Sequence, residues 1–151
     1  MRREAGAVAP QSHRQAPVAS WVAQMIGTLV LAAVVLYFVR SIGGAFGEID
    51  PDWKRYAAFG ILVGVAPALL YLGHFKVALD ADEAAIRKLG APDPAIRPRL
   101  MRALAIGGAL CEIPMAMGVV QLFLGGESRW FLGATFITIA LRLSYRPFTK
   151  A

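Results

Sequence analysis

The stretch ALAIGGALCEIPMAMGVVQLFLGGESRWFLGATFITIALRLSYR, residues 103–146, decides the fold. Its first 24 residues, 103–126, contain a single charge, Glu112. At 1.5 Å rise per residue they can cross a hydrocarbon core of roughly 30 Å. A tight Gly125-Gly126-Glu127-Ser128-Arg129 turn follows, and then a second apolar run opens at Trp130. That run reaches only 12 residues before Arg142, and extends to Arg146 if Arg142 stays inside the bilayer or snorkels. The expectation is an antiparallel membrane hairpin of two spans, 102–124 and 130–145.

The register of this hairpin needs no fitted offset, because Glu112 and Arg142 each lie 15 residues from Glu127 at the turn. Glu112 is ten residues beyond Arg102, about 15 Å along a helix and so near the bilayer midplane. A charged side chain at that depth costs about 2.5–3.5 kcal/mol on insertion scales. Glu112 must therefore be neutral, paired or wet, and Arg142 is the partner at matching depth. Ala105, Gly108, Ala109, Glu112 and Ala116 fall together at helical spacing, a small-residue face on which a second helix can pack closely. Thr135, Thr138, Arg142 and Tyr145 share a face of span four, expected to point toward Glu112. On this reading every polar group of the hairpin is satisfied within it. Pro114 offers no N–H to the Leu110 carbonyl, so a kink is expected beside the carboxylate.

Working outward, residues 15–39 run for 25 positions without a charge, and residues 56–75 give another 20 between Lys54-Arg55 and Lys76. These predict span one over 17–39, a retained anchor rather than a cleaved signal, and span two over 56–75. Gln24 and Thr28, four apart on span one, are expected to hydrogen-bond across helices. Between spans two and three, Asp80 and Glu83 have capping-box spacing and Gly90 is a natural stop, which predicts a short surface helix over 81–89, or else a continuation of span two. Pro98 is placed to open span three.

The 16 cations set the orientation. Arg2, Arg3, Arg14, Lys76, Arg87, Lys88, Arg97, Arg99, Arg102, Arg142, Arg146 and Lys150 fall on one side, and Arg40, Lys54, Arg55 and Arg129 on the other. The positive-inside rule then puts both termini in the cytoplasm, and the expected location is the cell's inner (plasma) membrane. The fold class expected is all-α: one polytopic domain over residues 1–151, four transmembrane helices in two hairpins.

Composition narrows the function. Of 151 residues, 57% are hydrophobic and 17% charged, outside the shares of an ordinary soluble domain. One cysteine and two histidines make neither a disulfide framework nor a metal cluster. The formal charge of +6 resides at the ends of apolar runs and not along one face, which argues against nucleic acid. No nucleophile triad, phosphate loop or dinucleotide fingerprint is present, so no catalytic residue, cofactor or metal is expected. The expected role is a non-enzymatic membrane protein that self-associates or joins a larger complex, its Glu112–Arg142 pair structural. The competing role is a proton- or ion-translocating protein in which Glu112 binds the proton.

Span three also carries a local resemblance. Arg99-Leu100, Ile106-Gly107, Ala109-Leu110-Cys111-Glu112, Gly118-Val119-Val120 and Phe123 together look like the carboxylate-bearing helix of subunit c, the proteolipid of rotary ATP synthases. The likeness covers residues 99–123, about one sixth of the chain, and implies that Glu112 is the proton-binding position. Span two, with Gly60, Gly64 and Gly73, lacks the dense glycine alternation of the proteolipid's inner helix. The loop is longer, and a fourth span adds Arg142, so a rotor ring is not the expected assembly. As a whole the chain looks like a small four-span bacterial membrane protein.

Overall fold

In a computed structural model the chain is described over residues 12–42, 51–125 and 127–147. Arg2, Arg3, Gly126 and Lys150, used above for topology or the turn, lie outside the described residues, as does the side chain of Arg14. Among the described residues six helices follow in order: α1 (Ser12–Ile42), α2 (Pro51–Val63), α3 (Val65–Leu89), α4 (Arg97–Cys111), α5 (Ile113–Phe123) and α6 (Ser128–Ser144). No strand occurs among the described residues.

The six helices make four rods. α2 and α3 run on through Gly64, whose N–H still donates to the Gly60 carbonyl at 2.8 Å. α4 and α5 run on through Glu112, where the ladder tightens: the Glu112 N–H donates to Ala109 O at 3.1 Å, and the helix resumes with Ala116 N–H to Glu112 O at 2.9 Å. Pro114 sits in the first turn of α5, where a missing N–H costs least. The expected kink is therefore a one-residue break at the carboxylate itself. The two breaks also meet. A Cβ on Gly64 would come within 2.9 Å of Ile113 Cγ2 and 3.3 Å of Pro114 N, so only glycine lets these rods touch there.

Residues 81–89 do not form a separate surface helix. They are the last part of α3, continuous from Val65, and Asp80 and Glu83 lie within the helix instead of capping a new one. Gly90 ends it as expected, with φ 72° and its N–H on Ile86 O at 2.9 Å. The Asp93 carboxylate then accepts from Ala95 N–H at 2.8 Å, while the Asp93 carbonyl accepts from Ile96 and Arg97, and Pro98 opens α4. An ion pair that the sequence reading did not single out fastens this turn: Arg97 Nη1 donates to Asp82 Oδ2 at 2.6 Å, with Asp82 buried.

Among the described residues, three stretches are long and apolar enough to cross a membrane: Gln15–Ile42, Asp52–Leu89 and Arg97–Phe123. α6 has 17 residues, at the short limit of the crossing range. Packing rises along the chain, from 11% of positions buried in the most apolar window of α1 to 44% in that of α4–α5. The main core joins Ala68, Phe75, Leu100, Leu104, Leu141 and Tyr145 from α3, α4 and α6 and their end. A second cluster sets Ala32 of α1 against Met115, Leu122 and Phe131.

The α5–α6 contact depends on Gly118, since a Cβ there would lie 2.7 Å from Ala134 Cβ and 3.4 Å from the Phe131 backbone. Gly133, by contrast, faces open space. Gly118→Ala should therefore lower thermal stability by about 1–3 kcal/mol, while Gly133→Ala should leave it unchanged or slightly raised. Melting curves of both variants in detergent check this, and equal curves would contradict the packing.

Candidate functional site

The side chains of Glu112 and Arg142 meet in the middle of the bundle. Arg142 is 5% exposed, and its Nε donates to Glu112 Oε1 at 3.1 Å. Its Nη2 forms a second, closer bond to the same oxygen. The antiparallel register about Glu127 is thus the register of the structure, with Gly118 against Ala134 and Gly107 against Tyr145 on either side of the pair.

The hairpin does not satisfy its polar groups alone, which corrects the sequence expectation. The remaining partners come from α1. Thr28 Oγ1 donates to Glu112 Oε1 at 2.7 Å, Arg142 Nη1 donates to Gln24 Oε1 at 2.7 Å, and Trp21 Nε1 donates to the Arg142 carbonyl at 2.9 Å. Trp21, Gln24 and Thr28 repeat at helical spacing, so one face of α1 presents all three. Glycine makes the approach feasible, because a Cβ on Gly108 would collide with the Gln24 amide. Gly107 likewise makes room for the ring of Tyr145, whose hydroxyl donates to the Ala68 carbonyl and ties the end of α6 to α3.

Other expected residues hold different places. Thr135 and Thr138 are buried on the same face of α6 as Arg142, as the spacing implied, but neither bonds Glu112. Thr135 Oγ1 donates to Phe131 O of its own helix at 2.9 Å, and Thr138 Oγ1 has no partner among the described residues. Pro114 is buried against Gly64. The small-residue face of span three is largely the wrong one: Gly108 is buried, but Ala105, Ala109 and Ala116 are exposed. The packed face is Leu100, Ala103, Leu104, Gly107, Cys111, Met115 and Gly118, and Glu112 stands at its edge, where α1 covers it.

The cluster works chemically as an ion pair in which the guanidinium and one carboxylate oxygen are fully engaged. Glu112 Oε1 accepts from Thr28 and from two guanidinium nitrogens, and Arg142 spends its third nitrogen on Gln24. Glu112 Oε2 has no partner among the described residues. No protein-family model matches the chain, and no curated protein or solved structure matches it.

Thr28→Val keeps the volume of the side chain and removes one donor to Glu112. A hydrogen bond to a charged group is worth about 1.5–3 kcal/mol in water-soluble proteins and about 0.6–2 kcal/mol between membrane helices. The variant should unfold about 1–2 kcal/mol more easily. It should also raise protease access to the α1 end of the chain in detergent. An unchanged melting curve would mean that Thr28 contributes nothing to holding α1.

Proposed function

We propose that the chain is a small, non-enzymatic, four-span membrane protein of the inner (plasma) membrane with both termini in the cytoplasm. α1, α2–α3, α4–α5 and α6 are the four spans, and the end of α3 projects toward the cytoplasmic surface. The twelve-to-four division of lysine and arginine supports this orientation. In this reading the protein works by assembling, with a second copy of itself or with a larger membrane complex, and Glu112–Arg142 is the structural pair that holds the bundle in one arrangement.

One observation carries this reading: Arg142 links three helices at once through side-chain bonds to Glu112 of the α4–α5 rod and Gln24 of α1. In lipid, apolar helices gain little by leaving acyl chains for one another, so polar contacts and close packing decide which helices associate. α1 is mostly lipid-facing and meets the hairpin through its polar triad, Ala32 and the apolar residues beyond it. Burial of a charge without its partner costs about 3–5 kcal/mol, whereas removing both charges costs much less.

Glu112→Ala or Arg142→Ala alone should therefore lower membrane abundance and thermal stability, and the double variant should recover much of the loss. Normal abundance of both single variants would sink the structural reading. A second reading, proton or ion translocation through Glu112, draws support from the unpartnered Oε2 and the helix break at the carboxylate. It predicts that Glu112→Gln keeps the fold and abolishes pH-driven flux in proteoliposomes. Equal flux in the variant and the wild type would reject it.

A further inference from the structure

Where α2 begins and α5 turns into α6, a cleft of about 270 Å³ lies far from the ion pair, lined by Lys54, Arg55, Ala58, Gln121, Glu127 and Trp130 among others. Gln121 is the unusual member. It is only 3% exposed, and its Oε1 has no hydrogen-bond partner among the described residues. A buried amide oxygen left unpaired is costly, and the great majority of such groups in folded proteins are paired. The terminal torsion of glutamine is broad, so the amide can turn its oxygen toward the cleft it lines.

The walls carry opposite charges. On the α2 side stand Lys54 and Arg55, the latter held loosely at 3.6 Å from Asp52 with both side chains exposed. On the turn side stand Glu127, itself bonded to Arg129, and the half-exposed indole of Trp130. A plain anion would meet two cations but also the Glu127 carboxylate. A zwitterion with its phosphate toward Lys54 and Arg55 and its N–H donors toward Gln121 and Glu127 fits both walls. Trp130 and the Trp53–Tyr56 pair at this end are the residue types that settle at headgroup level.

We propose that this cleft binds the headgroup of an aminophospholipid, a phosphodiester bearing a primary ammonium, with phosphatidylethanolamine as the simplest case. The assignment rests on the membrane placement proposed above and is independent of the role of Glu112. Phosphatidylcholine is the informative comparison. It carries the same phosphate and the same net charge, but its quaternary nitrogen has no N–H to give to Gln121.

The test is native mass spectrometry of the full chain released from detergent, with phosphatidylethanolamine or phosphatidylcholine of identical acyl chains added. Phosphatidylethanolamine should be retained roughly tenfold more strongly, the scale of one charge-assisted hydrogen bond. Gln121→Leu should remove that preference, and Lys54→Gln with Arg55→Gln should weaken both lipids. Lys76→Gln with Arg87→Gln, at the other end of the bundle, should change neither. Lys54 and Arg55 lie on the α2 surface, so their variant remains informative if Gln121→Leu does not fold. Equal retention of the two lipids, or undiminished retention in the Lys54/Arg55 variant, would overturn the proposal. Displacement of the lipid by soluble glycerophosphoethanolamine supports headgroup recognition. Binding of that soluble compound without retention of the lipid would reject a lipid as the source. A chain that stays in solution without detergent would instead overturn the membrane placement.

Discussion

A guanidinium and a carboxylate in the middle of an apolar bundle must satisfy each other and find further hydrogen bonds nearby, because little else at that depth can stabilise them. Arg142 and Glu112 meet this demand with help from α1, and much of the local geometry follows from it. Gly107 and Gly108 lie side by side on α4 because two bulky groups must reach its surface there, Tyr145 from α6 and Gln24 from α1. The Trp21 indole closes the same region by donating to the Arg142 carbonyl. α1 has little burial of its own, and its place in the bundle is set by where these polar partners sit.

The second organising feature is the pair of helix breaks. Gly64 interrupts the α2–α3 rod and Glu112 the α4–α5 rod, and the two meet with Gly64 against Ile113 and Pro114. Antiparallel rods that bend at a shared level can stay in contact along both halves, α3 on α4 and α2 on α5. The break at Glu112 lies within the polar cluster, so the position of the carboxylate and the course of the helix that carries it are coupled. Farther along, Tyr145 to the Ala68 carbonyl and Arg97 to Asp82 hold the α3–α4 end together.

The apolar runs were legible in the sequence because length and lack of charge are all that a membrane-crossing helix demands. The hairpin register was legible because a tight turn at Glu127 leaves two charges within apolar runs equidistant from it. Gln24 and Thr28 stood out as polar residues four apart in an apolar run, and they do bond across helices. The packed face of span three was not legible. In a helix that is apolar all round, alanine and leucine serve equally well against lipid or protein, so Ala105, Ala109 and Ala116 could look like an interface and yet lie exposed. The closing of the pair by α1 was hidden for a related reason: sequence spacing relates residues within a helix or across a short turn, not helices more than 80 residues apart. Asp82 falls inside the predicted 81–89 helix and Arg97 counts there only as a topology signal, so their pairing is not legible from spacing; the ion pair fastens the end of α3, which runs on to Leu89, to the start of α4.

In the reading proposed above, Arg142 holds Glu112 as a structural pair. The most direct measurement treats the purified protein in lipid with a hydrophobic carbodiimide, which needs a protonated carboxyl it can reach from the bilayer, and follows modification of Glu112 by mass spectrometry. The account predicts no modification of the folded wild type and clear modification of Arg142→Ala. Modification of the wild type as fast as that of the variant would contradict it.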